Sequence, residues 1–184
     1  MTMEHQTGNK GERRGLVLLH TGDGKGKSTA AFGQALRAAG QGLQVCIVQF
    51  IKAQDQTGEA KAFQALADHV EFHVKGSGFT WRQKNKDEVI RVARQAFDFA
   101  RAKIMSGRYD MVVLDELTYL LSYGMVDEAE VLDLIRNRPA GLHLVITGRD
   151  ASEKLVDAAD LVSEVRMIKH PYATGVMAQK GIEF

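Results

Sequence analysis

The sequence predicts one α/β domain with a mostly parallel central sheet flanked by helices. Three observations predict it. From Leu16 onward, short apolar runs alternate with helix-length amphipathic segments, the pattern of β-α units on a parallel sheet. Several of those runs are apolar without polar alternation, as strands covered on both faces require. And 184 residues suit a single domain with one sizeable core.

Residues 1–14 (MTMEHQTGNKGERR) carry charge and glycine without periodicity, so they are expected to form a mobile arm ahead of a domain at 15–184. The expected strands are Leu16–His20, Leu43–Phe50, Val70–Val74, Met111–Leu114, Leu142–Thr147 and Leu161–Val165. A first helix is expected over Ser28–Ala39, stopped by Gly40 and Gly42. Lys86–Met105 sets Val89, Ala93, Ala96, Phe97, Ala100 and Ile104 on one helical stripe that Gly107 closes. Asp127–Asn137 opens on acidic residues and has Pro139 just beyond its end, both boundary signs of a helix. Residues 51–60 and 75–85, rich in Gly, Gln and Lys, read as loops.

Composition removes several classes. The formal charge of +1 lacks the electrostatic footprint of a general nucleic-acid binder. No apolar stretch approaches the roughly 20 residues of a membrane span, and the amino terminus lacks the apolar segment of a secretion signal. The single Cys46, inside the run Val45–Val48, excludes an intramolecular disulfide and reads as a buried structural thiol. A cytoplasmic protein without nucleic-acid or membrane partners is expected.

The chemistry concentrates first at residues 21–29. The run Leu16–His20 leads into Thr21-Gly22-Asp23-Gly24-Lys25-Gly26-Lys27-Ser28-Thr29 and then a helix, the strand-loop-helix context of a phosphate-binding loop. Glycines let successive amides turn toward one anion, and the helix N-terminus adds partial positive charge. Lys27 supplies a point charge for phosphate oxygens, and the Ser28 hydroxyl is placed for Mg²⁺. The general pattern has glycine five residues before the Gly-Lys pair; here that position is Thr21, and the glycines fall at 22, 24 and 26. A phosphate-loop NTPase-like fold follows.

The run Met111-Val112-Val113-Leu114 ends in Asp115-Glu116. In phosphate-loop proteins such a strand is expected beside the first, bringing an acid to the metal. Spacing does not choose between the two acids, since strand neighbours point to opposite faces. The six histidines show no metal-ligand spacing; His69 and His73 are four apart but flank a β-like run. Gly76–Trp81 places Phe79 and the only tryptophan, Trp81, in a polar loop, where they read either as a lid on the core or as ligand-facing groups.

Taken together, these motifs resemble the ATP:corrinoid adenosyltransferases of the cobalamin-synthesis type, from about Gly11 to Phe184. The likeness is carried by Thr21–Thr29 (TGDGKGKST), Gln49–Lys52 (QFIK), Gly78–Trp81 (GFTW), Leu114–Tyr119 (LDELTY), Thr147–Arg149 (TGR), Lys169-His170 and Ala178–Phe184 (AQKGIEF). The resemblance implies transfer of the 5′-deoxyadenosyl group of ATP to Co(I) of a corrinoid, with release of triphosphate. It also implies a homodimer served by an electron-donating reductase. Carried over by motif, Gly22, Asp23, Gly24, Lys25, Gly26, Lys27, Ser28 and Thr29 bind the triphosphate. Ser28 and an acid at 115–116, with Glu116 favoured over Asp115, hold Mg²⁺, and Phe79 and Trp81 cover the corrinoid's lower face.

Co(I) is nucleophilic enough to need no general base, and none is evident. The reaction needs instead a stabilised leaving group, supplied by Lys25, Lys27, Mg²⁺ and backbone dipoles, and a C5′ that faces the cobalt. Aromatics filling the lower axial position would keep Co(II) four-coordinate and easier to reduce. Two rival classes use the same loop: a small-molecule kinase, which would release ADP, and a non-catalytic or ATPase module that binds nucleic acid or a protein.

Overall fold

The structure, a computed structural model, describes residues 14–51, 57–76, 78 and 86–183. The strands are β1 (Val17–Thr21), β2 (Val45–Gln49), β3 (Val70–Val74), β4 (Met111–Asp115), β5 (His143–Thr147) and β6 (Leu161–Glu164). The helices are α1 (Lys27–Gly40), α2 (Gly58–Gln64), α3 (Lys86–Met105), α4 (Leu117–Ser122), α5 (Glu128–Asn137) and α6 (Glu153–Asp157), followed by a 3₁₀ turn at Pro171–Thr174.

All six strands lie in one sheet in the order β3-β2-β4-β5-β1-β6, and every pairing is parallel. Alternation along each strand divides the interior into two layers. Val45, Ile47, Met111, Val113 and Val145 face one side, where α1 packs Ala31, Phe32, Ala35 and Ala38 and α2 adds Phe63. Cys46, Val48, Val112, Leu114, Leu144 and Ile146 face the other, against Val89, Phe97 and Ile104 of α3, Leu134 of α5 and Leu155 of α6. The alanine stripe of α1 lets that helix lie close to the sheet, which fixes where its N-terminus meets the loop after β1.

Two expectations change, on the place of β4 and on the short helices, and the sheet edge adds a further finding. The acidic strand β4 is not beside β1: β5 lies between them, paired to both. The last strand, β6, is an edge strand whose residues are all exposed, so it is not covered on both faces. Short helices α2, α4 and α6 occupy stretches without an expected helix, α2 beginning inside the expected 51–60 loop. Two of them carry conventional caps: Thr57 Oγ1 accepts from Ala60 N, and Ser152 Oγ from Leu155 N. Arg14, the last residue of the expected arm, ion-pairs with Asp160; the rest of the arm lies outside the described residues.

Candidate active site

The loop after β1 is shaped by close contact with the chain leaving β6. Val165 N donates to Thr21 O at 2.8 Å, and Gly24 N donates to Val165 O at 2.7 Å. A Cβ on Gly22 would sit 2.6 Å from Val165 O, and one on Gly24 2.8 Å from Arg166 O. Gly26, the residue before α1, has φ 119°, a conformation that favours glycine. The unusual placement of glycines at 22, 24 and 26 therefore has a structural cause. Two positions have no room for a side chain beneath the β6 exit, and the third needs the left-handed turn into the helix.

Of the helices with a described N-cap, α2, α5 and α6 are capped by the side chains of Thr57, Asp127 and Ser152. Helices α1 and α4 have no side-chain cap, and neither carries an acidic residue in its first turn. Both begin at the carboxyl edge of the sheet, where an anion can take the place of a cap. Lys27 Nζ reaches back across the loop to Gly22 O and Gly24 O, each at 2.6 Å. Burial lowers the Lys27 pKa below the ordinary lysine value, and nearby Arg149 lowers it further.

The acids separate into two environments. Asp115 is fully buried and accepts from Gln49 Nε2 and from Thr147 Oγ1, each at 2.8 Å. Thr147 Oγ1 also accepts from Glu116 N at 2.8 Å. Glu116 itself has φ 65°, unusual for a residue with a side chain, and it opens α4. The intervening strand β5 thus supplies the hydroxyl that joins the two acids. Gly148, next along, has no room for a side chain either: a Cβ there would meet Thr118 Oγ1 at 1.9 Å.

A cleft of about 240 Å³ gathers these groups. Gly24, Lys25, Gly26, Lys27, Ser28 and Thr29 form one wall, and Glu116, Tyr119 and Thr147–Arg149 another. Gly22, Asp23 and Asp115 do not line it; Gly22 contributes its carbonyl to Lys27, and Asp115 stands behind Glu116. Phe79 and Trp81 fall outside the described residues. The chain leading to them is pinned to the end of β2: Gly78 N donates to Ile51 O at 3.1 Å, and a Cβ on Gly76 would lie 2.4 Å from Phe50 O.

Sequence reasoning assigned no role to Arg149, Tyr119, Glu59 or Glu183, all of which reach the cleft. Arg149 had a usable sign, a cation just past the end of an expected strand, where parallel sheets bind ligands.

A second group of donor atoms lies elsewhere. Cys46, Glu71 and His73 converge within 4.8 Å on the α3 side of the sheet, although the histidine spacing gave no hint of it. Lys103 Nζ already donates to Glu71 Oε2 at 2.5 Å, filling a cation's place, and burial pushes the Cys46 thiol up to about 12. The cluster is a polar network of the core edge, and Cys46 is the buried structural thiol expected.

Comparison with known proteins adds the chemistry. The family model of ATP:corrinoid adenosyltransferase BtuR/CobO/CobP matches residues 13–184. A corrinoid adenosyltransferase of Pseudomonas aeruginosa is 42% identical over 94% of this chain and 85% of its own length. The corrinoid adenosyltransferase of Escherichia coli K12 and the corrinoid adenosyltransferase CobA of Salmonella typhimurium are each 40% identical, over 94% of this chain and 87% of theirs.

Proposed function

Since the chain belongs to the ATP:corrinoid adenosyltransferases, transferring the adenosyl group of ATP to a corrinoid in cobalamin synthesis, we propose that the cleft beside residues 24–29 is where it does so. The observation that carries the reading is the convergence of an uncapped helix N-terminus, Lys27 and Glu116 on one cleft. The triphosphate of ATP lies along the loop. The leading amides of α1 and the Lys27 ammonium, released from the carbonyls of Gly22 and Gly24, take its oxygens; Lys25 and Arg149 add charge from the rim.

The 5′-deoxyadenosyl group passes to Co(I) of the corrinoid as the C5′–O bond breaks, and the electron pair of that bond leaves with triphosphate. No side chain has to remove a proton. What the protein contributes is position and charge: the loop fixes the leaving group so that C5′ faces the nucleophile. The donor set on the cleft wall fits Mg²⁺, a hard cation that takes one or two carboxylates together with phosphate oxygens. Ser28 and Glu116 would hold it, and it would supply charge neutralisation of the departing triphosphate. Asp115, with a donor on each oxygen, anchors Thr147 and through it the backbone of Glu116.

Phe79 and Trp81 are assigned to the lower face of the corrinoid, on the strength of the GFTW motif. Composition places the enzyme in the cytoplasm, and the family resemblance implies a homodimer, with Co(I) supplied by a separate reductase.

Lys27→Ala tests the site. It should abolish ATP binding measured by calorimetry while the circular dichroism spectrum stays that of the wild type. Wild-type ATP affinity in this variant would refute the assignment.

A further inference from the structure

The tail after the 3₁₀ turn comes back to the phosphate loop. Ile182 N and Glu183 N both donate to Gln179 O, at 3.1 and 3.0 Å, so residues 179–183 close into one tight turn. Glu183 Oε2 accepts from Gln179 N at 2.7 Å, which fixes the side chain against its own turn. Its other oxygen, Oε1, accepts from Lys25 Nζ at 3.0 Å. The Glu183 side chain is only 14% exposed, and Glu183 lines the cleft together with Gly24–Thr29. The Gln179 amide and then Lys25 hold its carboxyl below the usual carboxylate range, so it is ionised at neutral pH.

A fixed carboxylate is an unexpected wall for a phosphate site. It holds one of the loop's cations, and it repels a polyanion from within a few ångströms. A divalent cation bound to the triphosphate removes two of its roughly four to five negative charges, and about half of that repulsion goes with them. We infer that Glu183 is a specificity-determining residue that makes this cleft favour the cation-complexed triphosphate over the metal-free polyanion. The inference rests on the reading of the cleft as the triphosphate site. It gives the tail a part in the reaction: a triphosphate that has lost its cation is expelled, with Lys25 returning to Glu183.

The test uses inorganic tripolyphosphate as the probe and calorimetry on the full chain, once in excess chelator and once in excess Mg²⁺. Wild type is compared with Glu183→Gln and Glu183→Lys, which raise the local charge by one unit and by two. In chelator, Glu183→Gln should tighten binding about tenfold and Glu183→Lys further still, the scale of one unit charge at a partly screened site. In Mg²⁺ the effect of Glu183→Gln should shrink to about threefold, and that of Glu183→Lys in proportion, because the cation has already offset about half of the charge. Unchanged or weakened metal-free binding in both variants would overturn the inference and leave Glu183 a purely structural residue. Loss confined to the Mg²⁺ arm would also overturn it, making Glu183 a metal ligand. Failure of the underlying site reading shows separately, as equal tripolyphosphate affinity in wild type and Lys27→Ala.

Discussion

Replacing Thr147 by valine removes one oxygen atom from the centre of the site and keeps the shape. That oxygen donates to Asp115 Oδ1 and accepts from Glu116 N, both at 2.8 Å, and Thr147 is fully buried. A hydrogen bond to a charged group contributes about 1.5–3 kcal/mol, and a buried amide left without its acceptor costs about 1–3 kcal/mol. The two share one hydroxyl and do not add fully, so the expected destabilisation is about 3 kcal/mol. For a domain of this size that is a fall in melting temperature of about 6–12 °C. Because the same hydroxyl fixes the left-handed backbone at Glu116, Mg²⁺-dependent ATP affinity should fall as well, about tenfold, the scale of one hydrogen bond that positions the metal's carboxylate. Thr147→Ser keeps the oxygen and should recover most of both. Urea denaturation and calorimetry on the two variants decide the matter. A Thr147→Val protein within 1 kcal/mol of wild type, on the scale of ~1 kcal/mol for an ordinary hydrogen bond, would refute the account of this network, as would a serine variant as damaged as the valine one.

Further outcomes are expected elsewhere. Gly24→Ala should lose ATP affinity at least tenfold with the core intact, because its Cβ would overlap the Arg166 carbonyl at 2.8 Å and push the loop off the β6 exit; Gly40→Ala, where nothing lies within 4 Å, should not. Lys103, the chief cause, holds the Glu71 carboxyl down to about 2 from an ordinary 4.5. A depressed carboxylate contributes stability above its unfolded pKa and loses it as pH falls through the folded one. The pair is partly exposed and screened, so Glu71→Gln should cost about 1 kcal/mol at neutral pH. Denaturation midpoints of the two proteins should then converge between pH 4.5 and about 2. Phe79→Ala and Trp81→Ala should lose most activity starting from Co(II) with a biological reductant and retain much more from chemically generated Co(I). Equal loss in both assays would make the rings structural.

Much of this molecule is legible in its sequence where the pattern is long or chemically marked. The six apolar positions of Lys86–Met105 repeat at helical spacing for about four turns, and the helix has those bounds. The strand Val70–Val74 is likewise bounded by its own residues. The glycine-rich turn at residues 22–29, from the end of β1 into α1, is marked by its residue types. Helices α2, α4 and α6 are two turns or fewer, too short for a period to show, although the caps Thr57 and Ser152 were visible signs. The start of α4 depends on a left-handed Glu116, a backbone state that a side-chain-bearing residue does not advertise.

Strand order is a non-local property. Nothing in Met111–Glu116 says that β5 will stand between it and β1, so Thr147 as the link between the acids could not be read in advance. The Lys25–Glu183 pair joins positions 158 residues apart through a turn whose importance only its return to the loop reveals.

The most direct measurement of the central claim is product analysis under anaerobic conditions. Wild type and Lys27→Ala are each incubated with ATP, Mg²⁺ and chemically reduced cobalamin. The visible spectrum reports the corrinoid, and chromatography of the quenched mixture reports the phosphate product. In the wild type, adenosylated corrinoid and free triphosphate should appear in equal amounts, and Lys27→Ala should yield neither. Stoichiometric ADP, or adenosylated corrinoid formed equally well without Lys27, would contradict the account.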